Sequence, residues 1–129
     1  MADEYDVVDI VHDTIEPVCA GFVLYRDRSG DGESKNHVTI RVLALGETRV
    51  INKGQVNVNV FVRQQSKGMP ARQVMKKIVR DIRSALRDMR PPLGMYWKSR
   101  IAWSESLGEA KEGFDCTNIR LEVITEKDL

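Results

Sequence analysis

The chain has 129 residues, of which 42% are hydrophobic and 30% are charged, as in folded domains rather than disordered segments. The formal net charge is +1, so no overall field favours nucleic acid, and no apolar run approaches the ~20 residues of a membrane-spanning helix. The acidic start lacks the basic region of a signal peptide, and two cysteines are too few for a disulfide scaffold. We therefore expect one domain over residues 1–129, made in the cytosol, with Cys19 and Cys116 as small buried side chains.

The first predicted element is an amphipathic helix over Glu4 to Glu16, which Pro17 ends. Its apolar face carries Val7, Val8, Val11 and Ile15. Its opposite face carries Asp6, Asp9, Asp13 and Glu16. Because no lysine or arginine precedes Arg26, the outer side of this helix is purely acidic.

Two strands joined by a polar loop follow the helix. A short strand is predicted over Gly21 to Tyr25 and a longer strand over His37 to Leu45, with a flexible hairpin tip over Arg26 to Asn36. One face of the longer strand carries Val38, Ile40, Val42 and Ala44. Its other face carries Thr39, Arg41, Leu43 and Leu45.

The clearest strand and the clearest helix lie next to each other in the middle of the chain. The strand, Gln55 to Arg63, alternates four valines with polar or aromatic residues: Val56, Val58, Val60 and Val62 against Asn57, Asn59, Phe61 and Arg63. The helix runs from about Pro70 to Met89, and its apolar residues occupy an arc of about 140°. Pro91 and Pro92 end this helix, because proline lacks the N–H donor and disfavours helix just before it.

Two strands complete the chain. Met95 to Trp103 is predicted as a strand whose inner face carries Met95, Trp97, Ile101 and Trp103. Ser104 to Gly113 is predicted as a polar loop, and Cys116 to Ile124 as the last strand. The inner face of that strand carries Thr117, Ile119, Leu121 and Val123.

This order of elements predicts an α+β fold, in which a mostly antiparallel sheet of four or five strands carries both helices on its valine face. The second face of the sheet mixes apolar residues with amides: Leu43, Leu45 and Phe61 lie among Thr39, Arg41, Asn57 and Asn59. Such a surface suits a protein–protein contact. The alternative is that loops fold over this face, since scattered apolar surface residues are common.

The second helix carries a stripe of positive charge within about 80° of arc. Its members are Arg72, Lys76, Arg80, Arg83, Arg87 and Arg90. Like charges one turn apart repel, so the stripe predicts an acidic partner: nucleic acid, a neighbouring subunit's acidic helix, or this chain's own first helix. An ordinary solvated basic face is the plain alternative. Nucleic acid is the weaker choice, because the stripe has no aromatic residue for stacking and the chain has no helix-turn-helix spacing.

No motif of the chain predicts catalysis, a cofactor or a metal. Asp27, Ser29, Asp31 and Gly32 resemble the start of a calcium loop, but Val38 stands where the bidentate glutamate should be. His12 and His37 have no cysteine or histidine at metal-ligand spacing and no nucleophile motif.

The layout resembles the tail terminator or tail completion proteins of long-tailed bacteriophages, also called minor tail or head–tail joining proteins. The similarity covers nearly the whole chain, and its closest local part is Asn57 to Val62 leading to the helix at Pro70. The resemblance implies a non-enzymatic protein that needs no cofactor. It also implies rings that cap the tail tube and join it to the head, with tail-tube and head–tail connector proteins as partners. The protein would then be located in the virion tail, and in the host cytoplasm during assembly.

The residues themselves agree with self-assembly, because a head-to-tail ring needs two different complementary surfaces on each subunit. We expect these surfaces to include the acids Asp6, Asp9 and Asp13, the cations Arg72, Lys76, Arg80, Arg83 and Arg87, and the apolar Leu43 and Phe61. With both charged helix faces pointing away from the sheet, much of each would be available to another chain. Two other readings remain: a nucleic-acid-binding accessory module that uses the helix over residues 70–90, and a small enzyme that uses His37 and the loop from Asp27 to Glu33.

Overall fold

The computed structural model describes residues 3–30, 32–47, 51–66, 68–90 and 94–126, without the side chains of Ala44, Leu45, Glu47 and Ile51. The elements in chain order are α1 (Glu4–Ile15), a single 3-10 turn (Glu16–Val18), β1 (Val23–Arg26), β2 (His37–Glu47), β3 (Ile51–Arg63), α2 (Arg72–Arg87), β4 (Trp97–Lys111) and β5 (Phe114–Glu126). The prediction for Pro91 and Pro92 lies outside the described residues, as does the placement of Asp31.

The strands form one five-stranded sheet in the order β1-β2-β3-β5-β4. The pairs β2–β3, β3–β5 and β4–β5 are antiparallel, whereas β1 pairs with β2 in parallel. The α+β fold with a mostly antiparallel sheet is therefore confirmed.

The core lies between the valine face of β3 and the two helices. Val60 is paired with Val38 of β2, and Val58 is paired with Ile40 of β2 and Ile119 of β5. All five of these side chains are fully buried. Because side chains alternate along each strand, the three central strands bring a continuous aliphatic surface to the helices.

Both helices cover this aliphatic surface, as predicted. α1 begins with a reciprocal capping box between Asp3 and Asp6, which satisfies two backbone N–H groups. It buries its face through Val7, Val11 and Ile15. α2 buries Ile78, Ile82 and Leu86, one turn apart along the side that faces the sheet.

The hairpin of β4 and β5 is longer than the sequence predicts. Residues 104–111, predicted as part of a polar loop, continue β4, and the chain turns only at Glu112 and Gly113, where Gly113 has a φ of 82°. Most side chains from Glu105 to Ala110 are exposed on both faces, so this part of the strand lacks the apolar alternation by which a strand is recognised.

Trp103 does not join Trp97 and Ile101 in the core, and this part of the prediction is wrong. The pairing of β4 with β5 shifts by one residue between Ile101 and Trp103, which adds Ala102 as a bulge. A bulge of one residue reverses the alternation, so Trp103 lies on the face of the sheet away from the helices.

The loop between β1 and β2 is not a hairpin tip, because these two strands are parallel. The loop must return the chain from the end of β1 to the start of β2. Asp27 begins the return with a φ of 86°, a left-handed conformation that aspartate tolerates better than most residues.

Candidate partner-binding surfaces

The face of the sheet away from the helices, here called the open face, carries an ordered ladder of amide groups. Asn118 of β5 donates from Nδ2 to Oδ1 of Asn59 at 2.8 Å and to Oδ1 of Asn57 at 3.1 Å. Arg120 donates from Nε to Asn57 at 2.9 Å and from Nη1 to Gln55 at 3.2 Å. The ladder fixes the rotamers of these side chains, so the surface is preorganised for contact.

Two large apolar side chains stand beside the ladder. Trp103 is 45% exposed, and its ring lies under the guanidinium of Arg120, with the Cζ atom 4.7 Å from the ring centroid. Leu43 is also 45% exposed and lies near Gln55 and Glu122. A tryptophan stacked on an arginine, next to satisfied amides, is typical of the centre of a protein–protein interface. The side chain of Leu45, expected on this face, lies outside the described residues.

Three members of this surface are not predicted from the sequence: Trp103, Asn118 and Arg120. Asn118 and Arg120 could have been found, because they alternate with the inward-facing Thr117, Ile119 and Leu121 along β5. Trp103 could not, because the bulge at Ala102 has no signal in the alternation of β4.

One end of the open face forms a small aromatic cluster rather than an exposed surface. His37 is fully buried there and stacks on Phe61, with ring centroids 4.6 Å apart and an interplanar angle of 10°. Tyr25 and Phe114 meet the same imidazole edge-on, at 6.0 Å and 5.1 Å. Phe61, expected as a docking residue, is therefore partly buried and also supports the fold.

The β1–β2 loop covers this aromatic end. The hydroxyl of Tyr25 donates a hydrogen bond to Glu33 in the loop, which raises the pKa of Tyr25 and lowers the pKa of Glu33. Asn36 accepts from the backbone N–H of Arg63 at 2.7 Å, which ties the loop to β3. The alternative that loops fold over the open face thus holds at the Phe61 end, whereas Trp103 and Leu43 remain exposed.

On the other side of the sheet, an open groove of about 1120 Å³ runs between α2 and the hairpin of β4 and β5. Its helical wall carries Arg72, Lys76, Arg80, Arg83 and Arg87. Its base is apolar, with Val62, Met75 and Val79, and its far wall includes Ser106 and Gly108 of β4. We call this feature the basic groove. The sequence alone predicts that the cationic stripe points directly away from the sheet. In the structure it faces sideways over the sheet instead.

The five groove cations form no ion pair with any residue that the structure describes. The one ion pair described on α2 joins Lys77 to Asp81 at 2.7 Å, on the flank away from the groove. Asp115 also lines the groove, and its Oδ2 atom is buried without a hydrogen-bond partner among the described residues. The groove is thus basic along one wall, apolar at its base and acidic at one point.

The acids of α1 are only partly occupied by contacts within the chain. Asp9 accepts from Nε of Arg26 at 2.7 Å, and the side chain of Asp6 accepts from the backbone N–H of Asp3. Asp13 and Glu16 lie 3.1 Å and 3.6 Å from the nitrogens of His12, with side chains 74% and 66% exposed. Most of the acidic face therefore points to solvent.

The acidic helix and the basic groove lie over opposite halves of the sheet. α1 contacts β1 and β2, whereas the groove is built over β5 and β4 beyond the central strand. α2 lies between them, so the helical layer is acidic at one end and basic at the other.

The side chains of Cys19, Cys116 and His37, which could take part in chemistry, are buried in the fold. Cys19 and Cys116 are buried free thiols, and burial raises their pKa to about 12 and about 11, which keeps them protonated and unreactive. Burial lowers the pKa of His37, whose Nδ1 hydrogen-bonds to the carbonyl of Lys35 at 2.7 Å.

Within the described ranges, no three His, Cys, Asp or Glu side chains are grouped so that they could hold a metal ion. No described helix is both long and apolar enough to cross a membrane.

No protein-family model matches the chain, and no curated protein matches its sequence.

Proposed function

We propose that this chain is a structural subunit of a phage or prophage tail, which assembles into a ring that caps the tail tube and joins it to the head. The observation that carries the proposal is the presence of two different kinds of interaction surface on one small domain. The open face presents Trp103 and Leu43, and the helical layer presents opposite charges at its two ends. Heterologous ring contacts require such non-identical surfaces.

The order and bounds of the elements support the same proposal. The resemblance to tail terminator and completion proteins depends on a short helix, a first hairpin, a long strand that leads into an amphipathic helix, and a final hairpin. The described elements include all of these except the first hairpin, because β1 and β2 are parallel. The proposed role is non-enzymatic and needs no cofactor. The subunit would be present in the host cytoplasm during assembly and in the virion tail afterwards.

We assign the open face to contact with a tail-tube or head–tail connector protein. Truncating a fully desolvated aromatic anchor commonly costs about 2 kcal/mol or more of binding free energy, which corresponds to roughly 30-fold weaker affinity. Trp103 would become such an anchor when a partner covers it, since its ring is held by Arg120 and is still 45% exposed. Phe61 would add less, because part of its surface is already covered by His37.

Electron microscopy of the purified chain mixed with the tail-tube protein of the same phage or prophage tests the proposal. We expect ring-shaped density at one end of each tube. The variant Trp103→Ala should keep its melting temperature and lose most of the tube-end density, whereas Tyr96→Ala, which removes another exposed aromatic of the chain, should behave as wild type. Tubes whose ends stay bare at saturating protein would contradict the proposal.

The second candidate function is binding of nucleic acid in the basic groove, and the observation in its favour is the run of five cations along α2. The apolar base of the groove disfavours a phosphate backbone, which seeks cations and hydrogen-bond donors. Titration of duplex and single-stranded DNA across a range of salt concentrations separates the two functions. A steep loss of affinity with salt, by a chain that ignores tail-tube protein, would favour the second.

A further inference from the structure

We propose that the basic groove of one subunit receives the acidic helix α1 of a second copy of this chain, so that the helical layer continues from one subunit to the next. This inference rests on the proposed self-assembly and identifies the two surfaces that make the contact between subunits. The partner of the groove is then a protein helix that carries acidic side chains.

The charges of the two surfaces are complementary. The first 25 residues contain six acids and no lysine or arginine. The groove presents five cations that form no ion pair with any described residue. A basic wall of this kind repels itself in the isolated subunit, and an acidic helix laid along it would relieve that repulsion.

The dimensions of the two surfaces agree. α1 has 12 residues and is therefore about 18 Å long, and the stripe from Arg72 to Arg87 extends over about 22 Å of α2. Both sets of charges repeat every three or four residues, so neighbouring charges lie about 5 Å apart along each helix axis. Two such helices packed side by side can bring several acids and cations into contact at once.

The groove also fits a helix with an apolar residue better than it fits an inorganic or nucleic-acid phosphate. Tyr5 is 74% exposed and lies one turn before Asp9, on the same stripe of α1 as the acids. Met75 and Val79, at the base of the groove, are only partly buried and would give the tyrosine ring an apolar surface.

The placement of the two surfaces makes the contact head-to-tail. α1 lies over β1 and β2, at one edge of the sheet, and the groove lies over β5 and β4 at the other edge. A helix seated in the groove would lie beside α2, over the half of the sheet that α1 does not cover. Each subunit would then give one helix and receive one, which is the repeating contact that a closed ring needs.

A charge-reversal exchange tests the contact through two double variants. The groove variant is Arg80→Glu with Arg83→Glu, and the helix variant is Asp13→Lys with Glu16→Lys. Asp13 and Glu16 are chosen because they are well exposed, and because lysine is favoured in the last turn of a helix. The matched control reverses two exposed cations near Glu122, on the open face: Lys53→Glu with Lys98→Glu.

Sedimentation velocity of each purified protein over a concentration series, at low salt, gives the readout, and circular dichroism checks that each is folded. We expect each reversed variant alone to need at least about tenfold more protein to assemble, because like charges would face each other. An equimolar mixture of the two should recover most of the lost assembly, since the two variants can alternate and each acidic surface then meets a basic one. The control should assemble as wild type.

The remaining outcomes overturn the inference in different ways. Wild-type assembly by both reversed variants would remove the groove and α1 from the contact but leave the proposed ring intact. Loss of assembly by each variant without rescue in the mixture would show that the two surfaces do not meet each other. A wild-type chain that stays monomeric at every concentration would overturn this inference. One that also leaves tail-tube ends bare would overturn the proposed function as well.

Discussion

His37 is the residue at which the open face and the fold depend on each other most closely. Its ring is fully buried between Phe61, Tyr25 and Phe114, and Nδ1 hydrogen-bonds to the carbonyl of Lys35. Nε2 is buried without a partner among the described residues, which suits an unprotonated nitrogen better than a second N–H donor. The native state therefore holds the neutral imidazole.

This environment gives the protein a pH dependence of stability. Burial lowers the pKa of His37 below its ordinary 6.5, so the unfolded chain takes up a proton at a higher pH than the folded chain does. The contribution of neutral His37 to the free energy of unfolding is fully present above pH 6.5. It is lost as the pH falls through the lowered pKa of His37 in the folded state. Urea unfolding at pH 7.5 and pH 5 should show a smaller loss of stability in His37→Phe than in wild type. An equal loss in both proteins would contradict this account of His37.

Among the elements, β3 with α2 is the part of the fold that the sequence predicts best. Strict alternation of four valines leaves one register for the strand, and a single apolar arc leaves one orientation for the helix. Both patterns arise from burial, so the sequence shows them clearly where many side chains of an element are buried. The elements at the two edges of the sheet have less buried surface, and their sequences predict them less well.

The errors at the edges have particular physical causes. β1 has only four residues, so its parallel pairing with β2 has no pattern of its own in the sequence. The outer half of β4 is held by its backbone pairing with β5 and buries few side chains, so its composition resembles a loop. The basic groove depends on which part of the sheet α2 leaves uncovered, and no local pattern encodes that placement.

The register of β3 is tested by placing the same charge on its two faces. Val60→Asp would bury an unpaired carboxylate in the core and should cost several kcal/mol, enough to leave the domain unfolded or close to it. Asn59→Asp is the matched control, because Asn59 lies on the open face and already accepts a hydrogen bond from Asn118. Chemical denaturation should show a large loss for the first variant and a loss below about 1 kcal/mol for the second. A cooperatively melting Val60→Asp protein would show that the assigned face is wrong.

At the scale of the whole molecule, the distribution of charge has more meaning than its sum. A net charge of +1 conceals an acidic helix at one end of the helical layer and a basic groove at the other. The open face adds a third surface, with Trp103 and Leu43 beside a hydrogen-bonded amide ladder. Three different surfaces on one small domain are consistent with a subunit that contacts two neighbours and a separate partner.

The mass of the wild-type assembly, measured by light scattering across a concentration series at low salt, is the most direct test of self-assembly through non-identical surfaces. We predict a single species with a fixed number of subunits greater than two, because head-to-tail contacts that close into a ring stop growing at one size. Its formation should weaken at about 1 M salt, where screening shortens the range of charge interactions to about 3 Å. A chain that remains monomeric, or that stops at a salt-insensitive dimer, would contradict the account.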